Sequence, residues 1–427
     1  MKRHLQAQPT APAPVVHLSV EEEAILADEN SEAEIAIDAA AADTDRVTEV
    51  AEVANDTMLV VDETPEVGQV EQELVNAVGE MAVAGTDGNP EDVISMPVAD
   101  GEVVSVEGIV SALKSIWHAI VTAIKNMWVG IKHWFTTYFS TLEQNKKHAE
   151  GLIKRLSGMK GYLANSGAEL TSTIADIFNY RGNTWMDFFN HAGRVDAEFR
   201  QYVLVASETH HALMAPIGED MEDAFKKYNG EDTSDVANVV DMLGKTLNNY
   251  MKRLHLEPQK GDKWSSKTLA NMTVTAKNYS ANWSVSGTNL ETKIAMLSKV
   301  RFDVDQSTEF ATTKGRVMKN DTTPEMVLQA VESRLGFINE LLKFKGDQFK
   351  SLETAMEKVQ KACDDMLGRI KDDNKEGTAF AKRLMPLCSA YANWATQPTA
   401  KLFSIAARHN KYHLSFFEMA TNNFKPA

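Results

Sequence analysis

After Gly108 the apolar residues recur at helical spacing. Ile109, Leu113, Ile116, Trp117, Ile120, Ile124, Met127, Trp128, Ile131, Phe135, Tyr138 and Phe139 recur in steps of three and four, which places them on one face of a helix over Gly108–Phe139. Lys114, His118, Lys125 and Lys132 occupy other positions, and no acid appears between Glu107 and Glu143. The pattern continues over Leu142–Leu163, with interruptions at Gly158 and Gly161. It predicts a further helix over Trp185–Met214 that ends near Pro216, and another over Asp235–Leu254 that stops before Pro258.

The periodicity then weakens. Gly261–Lys319 is rich in Thr, Ser, Asn and Gly, and Asn271–Val285 alternates well enough for a short strand or hairpin. Helical order resumes at Thr323-Pro324-Glu325, where a capping hydroxyl, a proline at the first helical position and an acid mark a start. From there Val327, Val331, Leu335, Ile338, Leu342, Phe349, Leu352, Met356, Val359, Met366 and Ile370 form a stripe. An unbroken helix along it would reach roughly 70 Å at 1.5 Å per residue. Gly336 and Gly346 are places where it could bend, and Pro386 and Pro398 are expected to divide the remainder into shorter helices, the last over Thr399–Asn422. No tandem repeat of fixed period is present. The expected fold is mainly α, an elongated bundle of long amphipathic helices.

Residues 1–107 follow neither period. They hold 25 Asp/Glu and 3 Lys/Arg, whereas residues 108–427 hold 35 and 41, so a formal −22 precedes a formal +6. Every Phe, Tyr and Trp lies after Glu107. A leader without aromatics cannot bury enough surface to offset its ordering entropy, and it is expected to be disordered apart from short helical stretches around Val20–Leu26 and Val70–Val78. The division that results is an acidic leader at 1–107 and an N-terminal helical part at 108–260. A polar connecting region with a small β element follows at 261–322, then a C-terminal helical part at 323–427.

Composition removes several classes of function. Met1-Lys2-Arg3-His4 is not followed by the apolar stretch of a secretory signal, and no apolar run reaches the length of a membrane span, so a soluble protein is expected. The sequons at Asn271, Asn278, Asn282 and Asn320 are then chance matches. Cys363 and Cys388 lack ligand or framework spacing and are expected to remain thiols in a reducing cytosol. There is no phosphate loop, serine elbow, zinc-type cysteine pair or His-Glu-x-x-His. Glu208-x-x-His211 sets a carboxylate and an imidazole one turn apart, but a di-iron bundle needs a second such pair and two further glutamates. His210 and His211 therefore read as surface or core-edge residues, and Asp303-Val304-Asp305 is too short for a calcium loop. No cofactor, metal or catalytic residue is expected.

Two features remain for binding. The face formed by Trp117, Ile120, Ile124, Trp128, Ile131 and Phe135, with Lys and His elsewhere on the helix, has the composition of a helix that lies in a membrane interface. The same face suits packing against the Val327–Ile370 stripe as bundle core, which is the more common use of such a face. Lys146-Lys147, Lys154-Arg155 and Lys252-Arg253 are candidates for sequence-independent phosphate contacts, and also for plain solvated helix faces.

At the charge boundary the chain reads Ser105-Val106-Glu107 and then Gly108, and Ser19-Val20-Glu21 repeats the pattern inside the leader. A small residue, any residue, then Glu resembles the cleavage signal of tailed-phage prohead proteases. Ala206-Ser207-Glu208, Ser351-Leu352-Glu353 and Ala355-Met356-Glu357 also fit but lie in expected helices; Gly167-Ala168-Glu169 and Ser307-Thr308-Glu309 fit outside them. An acidic propeptide, such a site and a helical body together resemble the internal head proteins of giant phiKZ-like tailed phages. The resemblance implies a non-enzymatic virion structural protein, made in the bacterial cytoplasm and held inside the capsid. Its implied partners are the prohead protease, other capsid or inner-head proteins and packaged DNA, with ejection into the host as a further step. The alternative is a helical membrane-perturbing effector, with transient membrane contact, kept inactive by its acidic pro-segment.

Overall fold

The computed structural model describes residues 136, 138–162, 167–170, 185–269, 272–280, 288–306, 316–319, 322–344, 347–369, 375–422 and 424–426. The acidic leader, its two expected helical stretches and most of the Gly108–Phe139 helix lie outside these residues. Helices dominate what is described, as the apolar periodicity requires.

The first helix, α1, runs through 138–156 and ends at the turn of Ser157 and Gly158. The expected continuation to Leu163 is replaced by a strand, β1 (Met159–Tyr162), which pairs antiparallel with β8 (Phe424–Pro426) at the other end of the described chain. Strand β2 (Gly167–Leu170) pairs with β7 (Arg316–Lys319) in the same sense. Both pairings join segments far apart in sequence, which no local pattern signals.

The longest helix, α2 (Trp185–Lys227), continues through Pro216 instead of ending there. A proline removes one backbone bond and crowds the preceding turn, a cost that tertiary contacts must offset. Tyr391 of a later helix packs beside this turn. Its hydroxyl donates to the Met214 carbonyl at 2.8 Å, and it lies so close to Gly218 that a Cβ there would collide with the ring. Helix α3 (Ser234–Arg253) folds back along α2, with the Tyr202 hydroxyl donating to the Leu254 carbonyl at 3.1 Å.

Four short strands form an antiparallel sheet in the order β3 (Glu257–Pro258), β4 (Trp264–Ser265), β5 (Met272–Lys277) and β6 (Arg301–Gln306). Strand β5 falls inside the alternating stretch Asn271–Val285. Its Met272, Val274 and Ala276 are buried, as are Phe302 and Val304 of β6. A short helix, α4 (Leu290–Ser298), joins β5 to β6 and is not signalled by the polar sequence around it. The Asn289 side chain caps it by accepting from the Thr292 amide at 2.8 Å.

Helix α5 (Pro324–Lys343) starts where Thr323-Pro324-Glu325 places it, with the Thr323 hydroxyl accepting from the Met326 amide. The long stripe that follows is not one helix: α5 stops at Lys343 with Phe344 as its cap, and α6 (Asp347–Arg369) is a second piece packed along α2. Helix α7 (Lys375–Thr396) passes through Pro386, against expectation, whereas Pro398 does separate it from α8 (Thr399–Thr421). The C-terminal end of α7 is held from two sides. Trp394 Nε1 donates to the Val300 carbonyl at 2.9 Å, and Asn393 Oδ1 accepts from the Phe302 amide at 3.0 Å. That second bond satisfies a backbone donor on the open edge of β6.

Helix α8 is the centre of the body, buried almost throughout its length. The α1 helix follows it: Tyr138 stacks on Phe403 with centroids 5.4 Å apart, and Asn145 Nδ2 donates to the Ala407 carbonyl at 3.2 Å. One further expectation is corrected. Cys363 of α6 and Cys388 of α7 form a disulfide, with Cα atoms 7.3 Å apart, rather than remaining separate thiols. Spacing along the chain carries no record of the α6–α7 packing that brings them together.

Candidate functional site

Ser105, Val106, Glu107 and Gly108 lie outside the described residues, as do Ser19, Val20 and Glu21 and the face formed by Trp117, Ile120, Ile124, Trp128, Ile131 and Phe135. The last residues of that face are described: Tyr138 and Phe139 are buried against the body. Rival sites for a protease that reads small-x-Glu can be placed. Ala206-Ser207-Glu208 is wound into α2, and Ser351-Leu352-Glu353 and Ala355-Met356-Glu357 are wound into α6. A helix presents no extended backbone for a protease to bind. Gly167-Ala168-Glu169 is extended, but β7 occupies one edge of that strand, with Glu169 opposite Val317. Ser307-Thr308-Glu309 lies outside the described residues.

The most concentrated chemistry is a buried ionic node where α2, α5 and α8 meet. Arg334 is 2% exposed. One guanidinium nitrogen lies 2.6 Å from Asp196 Oδ1, and another donates to Asn410 Oδ1 at 3.0 Å. Arg200 shares Asp196 at 3.5 Å and also donates to Ser333 Oγ at 2.8 Å. Its guanidinium sits over the Phe337 ring, 4.9 Å from the centroid. His413 approaches Asp196 at 3.9 Å, and His409 packs on Phe199 with ring centroids 4.7 Å apart. Burial, and next the positive charge of Arg408 for His409 and of Arg334 for His413, holds both imidazoles well below their ordinary value, so both are neutral at pH 7. The arrangement sets the register of three helices. Nothing in it supplies an activated nucleophile.

Sequence reasoning passes over this node, although a signal is present. Arg334 interrupts the apolar stripe between Val331 and Ile338, at the spacing of a core position. His210, expected at the surface or core edge, is 1% exposed. Its Nε2 donates to the Trp394 carbonyl at 2.7 Å, which ties α2 to the end of α7. His211 is hydrogen-bonded to Ser351 Oγ at 2.7 Å, so the Glu208/His211 pair does not open onto a common site. Among the described residues, no three His, Cys, Asp or Glu side chains converge as a metal site needs. No described helix is long and apolar enough to cross a membrane.

The candidate phosphate contacts separate. Lys147 and Lys154 are exposed on α1 and Lys146 is half-buried, with Glu143 and Glu150 as neighbours one turn away. Arg155 is engaged by Glu418 at 2.9 Å, which also meets His148 at 3.0 Å. Lys252 and Arg253 are exposed at the end of α3, where the chain enters the sheet. Lys245, Lys260, Lys267 and Lys299 are also exposed in that region, and the sequence does not single them out because they are scattered one at a time.

Comparison with known proteins adds one finding. The family profile of phiKZ-like phage internal head proteins matches residues 21–418, most of the chain and both sides of the charge boundary. No curated protein matches, and no solved structure does.

Proposed function

The chain belongs to the phiKZ-like phage internal head proteins, and from that premise we propose that it is matured by cleavage after Glu107 and that its body associates with packaged DNA. Membership of the family makes it a structural protein of the inner head, located inside the capsid of the virion. Maturation, DNA association and any later ejection are finer steps, and one observation carries the first two. The formal charge changes from −22 to +6 at a small-x-Glu sequence, Ser105-Val106-Glu107.

The physical logic is electrostatic. A leader of −22 next to the body raises the local concentration of negative charge and opposes contact with another polyanion. Removal of that leader changes the formal charge of the chain from −16 to +6, and no bond re-forms to reverse the change. The prohead protease is the partner that this reading requires, and other inner-head proteins are the neighbours that it expects. Ser19-Val20-Glu21 offers an earlier cut of the same kind. The helical settings of Glu208, Glu353 and Glu357 support a cut confined to the leader side, because winding denies them to an extended-binding cleft.

The test is the intact mass and N-terminal sequence of the protein taken from purified virions. The expected mature chain begins at Gly108. A virion chain that retains residues 1–107 would end the maturation reading, and the acidic segment would then be a permanent tail.

A further inference from the structure

We propose that the four-stranded sheet, with the end of α3 that feeds it, is the surface through which the body contacts the phosphate backbone of DNA. The inference rests on the DNA-association reading above and names the surface that carries it.

The surplus of positive charge is local. Residues 241–306, which include Asp241, the partner of Lys293, hold 10 Lys/Arg and 6 Asp/Glu, a formal +4 within a body whose total is +6. By contrast, α2 alone holds 8 Asp/Glu and 4 Lys/Arg. Most acids of the sheet region are already taken up. Asp303 is shared by Lys277 and Lys401, each at 3.0 Å; Asp305 pairs with Lys263 at 3.0 Å; Glu291 pairs with Arg383 of α7. That leaves Glu257 and Asp262 against Lys245, Lys252, Arg253, Lys260, Lys267 and Lys299, all exposed.

The fold gathers these cations around one small sheet. Lys252 and Arg253 end α3, and His255, at a φ of 52°, turns the chain at once into β3. The β3–β4 hairpin closes through the Gln259 amide, which donates to the Lys263 carbonyl at 2.8 Å, and Gly261 takes a φ of 81° at the tip. That tip carries Lys260. It is tied to the end of β5 by the Tyr279 amide, which donates to the Asp262 carbonyl at 3.1 Å. Asn278 next to it donates to the Lys299 carbonyl at 3.2 Å. Lys267 lies two residues past the end of β4. Lysines on exposed loops and strand ends around a rigid sheet suit contact with a regular array of phosphates. They do not provide the convergent polar groups that a small anion needs. The surface therefore predicts sequence-independent, salt-sensitive binding.

The test is amine acylation with residue-level mass readout on the protein inside filled virions, on the same protein after extraction, and on the extract with added duplex DNA at low salt. Lys252, Lys260, Lys267 and Lys299 are expected to react at least about fivefold more slowly in filled heads and with added duplex than in the extract alone. Protection in the head that duplex does not restore would overturn the proposal, because another protein or the chain's own leader then covers the patch. Duplex protection that falls on Lys147 and Lys154 instead would also overturn it and leave the DNA-association reading intact. If duplex protects no lysine, that reading fails as well. As a second measurement, replacing Lys252, Arg253, Lys260, Lys267 and Lys299 by Gln should flatten the dependence of log affinity on log salt by roughly 4. An unchanged slope would count against the surface.

Discussion

The α2–α5–α8 junction and the four-stranded sheet both collect basic and acidic side chains, but they treat them oppositely. At the junction Arg334 and Asp196 are enclosed and every charge has a close partner. At the sheet three of the five acids in residues 257–306 are paired and a larger set of lysines is left facing water. Enclosure makes a charge expensive to leave alone, so the junction can specify which helices meet and at what register. Exposure makes a charge cheap to carry, so the sheet can hold a surplus available to a partner. The same residue types thus serve architecture in one place and association in the other.

The contrast can be broken at its strongest point. Arg334→Met leaves Asp196 buried with weaker compensation, and a loss of about 3–5 kcal/mol in urea-unfolding stability is expected. Replacing Asp196, Arg200 and Arg334 together by apolar residues should recover much of that loss, since none of the three paired charges then remains. A loss for the single variant below about 1 kcal/mol would mean that water reaches the node.

Acid is the next lever. Burial pushes His210 down to about 4. The unfolded chain binds that proton below about pH 6.5 while the folded chain refuses it, so this contribution is fully present above about 6.5. It fades as pH falls towards 4 and is worth on the order of 3 kcal/mol. His409 and His413, also held low, act in the same direction. Thermal melts between pH 7 and 4 should show a steep acid limb, and His210→Gln should flatten it. A limb unchanged in that variant would remove His210 from the account.

A smaller effect is expected where Tyr391 meets α2. Gly218→Ala places a methyl against the Tyr391 ring, for an expected cost of about 1–3 kcal/mol. Tyr391→Phe in the same background should relieve only part of the clash, because the hydroxyl is the nearest atom but the ring carbon and Ala355 Cβ remain close. Smaller still is the clamp between α1 and α8. The hydrogen bond from His148, aided by the charge of Arg155, holds Glu418 below its ordinary value. The stability it contributes is present at neutral pH and is lost as pH falls through the folded value. Because the pair is partly open to water, Glu418→Gln should cost less than about 1 kcal/mol. Amide exchange should rise first in α1 and β1. At the sheet, neutralising the five exposed cations should leave stability within about 0.5 kcal/mol, which would confirm that those charges are not architectural.

Elements built on local signals are legible in the amino-acid sequence. The start of α5 follows from a hydroxyl, a proline and an acid in succession, and α3 and α8 begin and end within a residue or two of their expected bounds. Proline is the least reliable guide. Pro216 and Pro386 sit inside helices, and the nearest cross-helix bond to Pro216 comes from Tyr391, on a helix remote in sequence. The ionic node and the lysine surface are illegible for a related reason. Asp196, Arg334 and Asn410 come from three different helices, and the exposed lysines are neutral in pattern until their acidic neighbours are seen to be paired elsewhere.

The sequence by itself determined the charge step at Glu107, the mainly helical body after it and the family to which the chain belongs. These depend on composition, period and short motifs, all of which are local quantities. Only the tertiary structure decided which charges are enclosed and which face water, that α8 is buried almost throughout, that Cys363 meets Cys388, and that β1 pairs with the remote β8. Those outcomes depend on distances between remote segments, which are set by how apolar faces pack and which polar groups find partners once water is excluded.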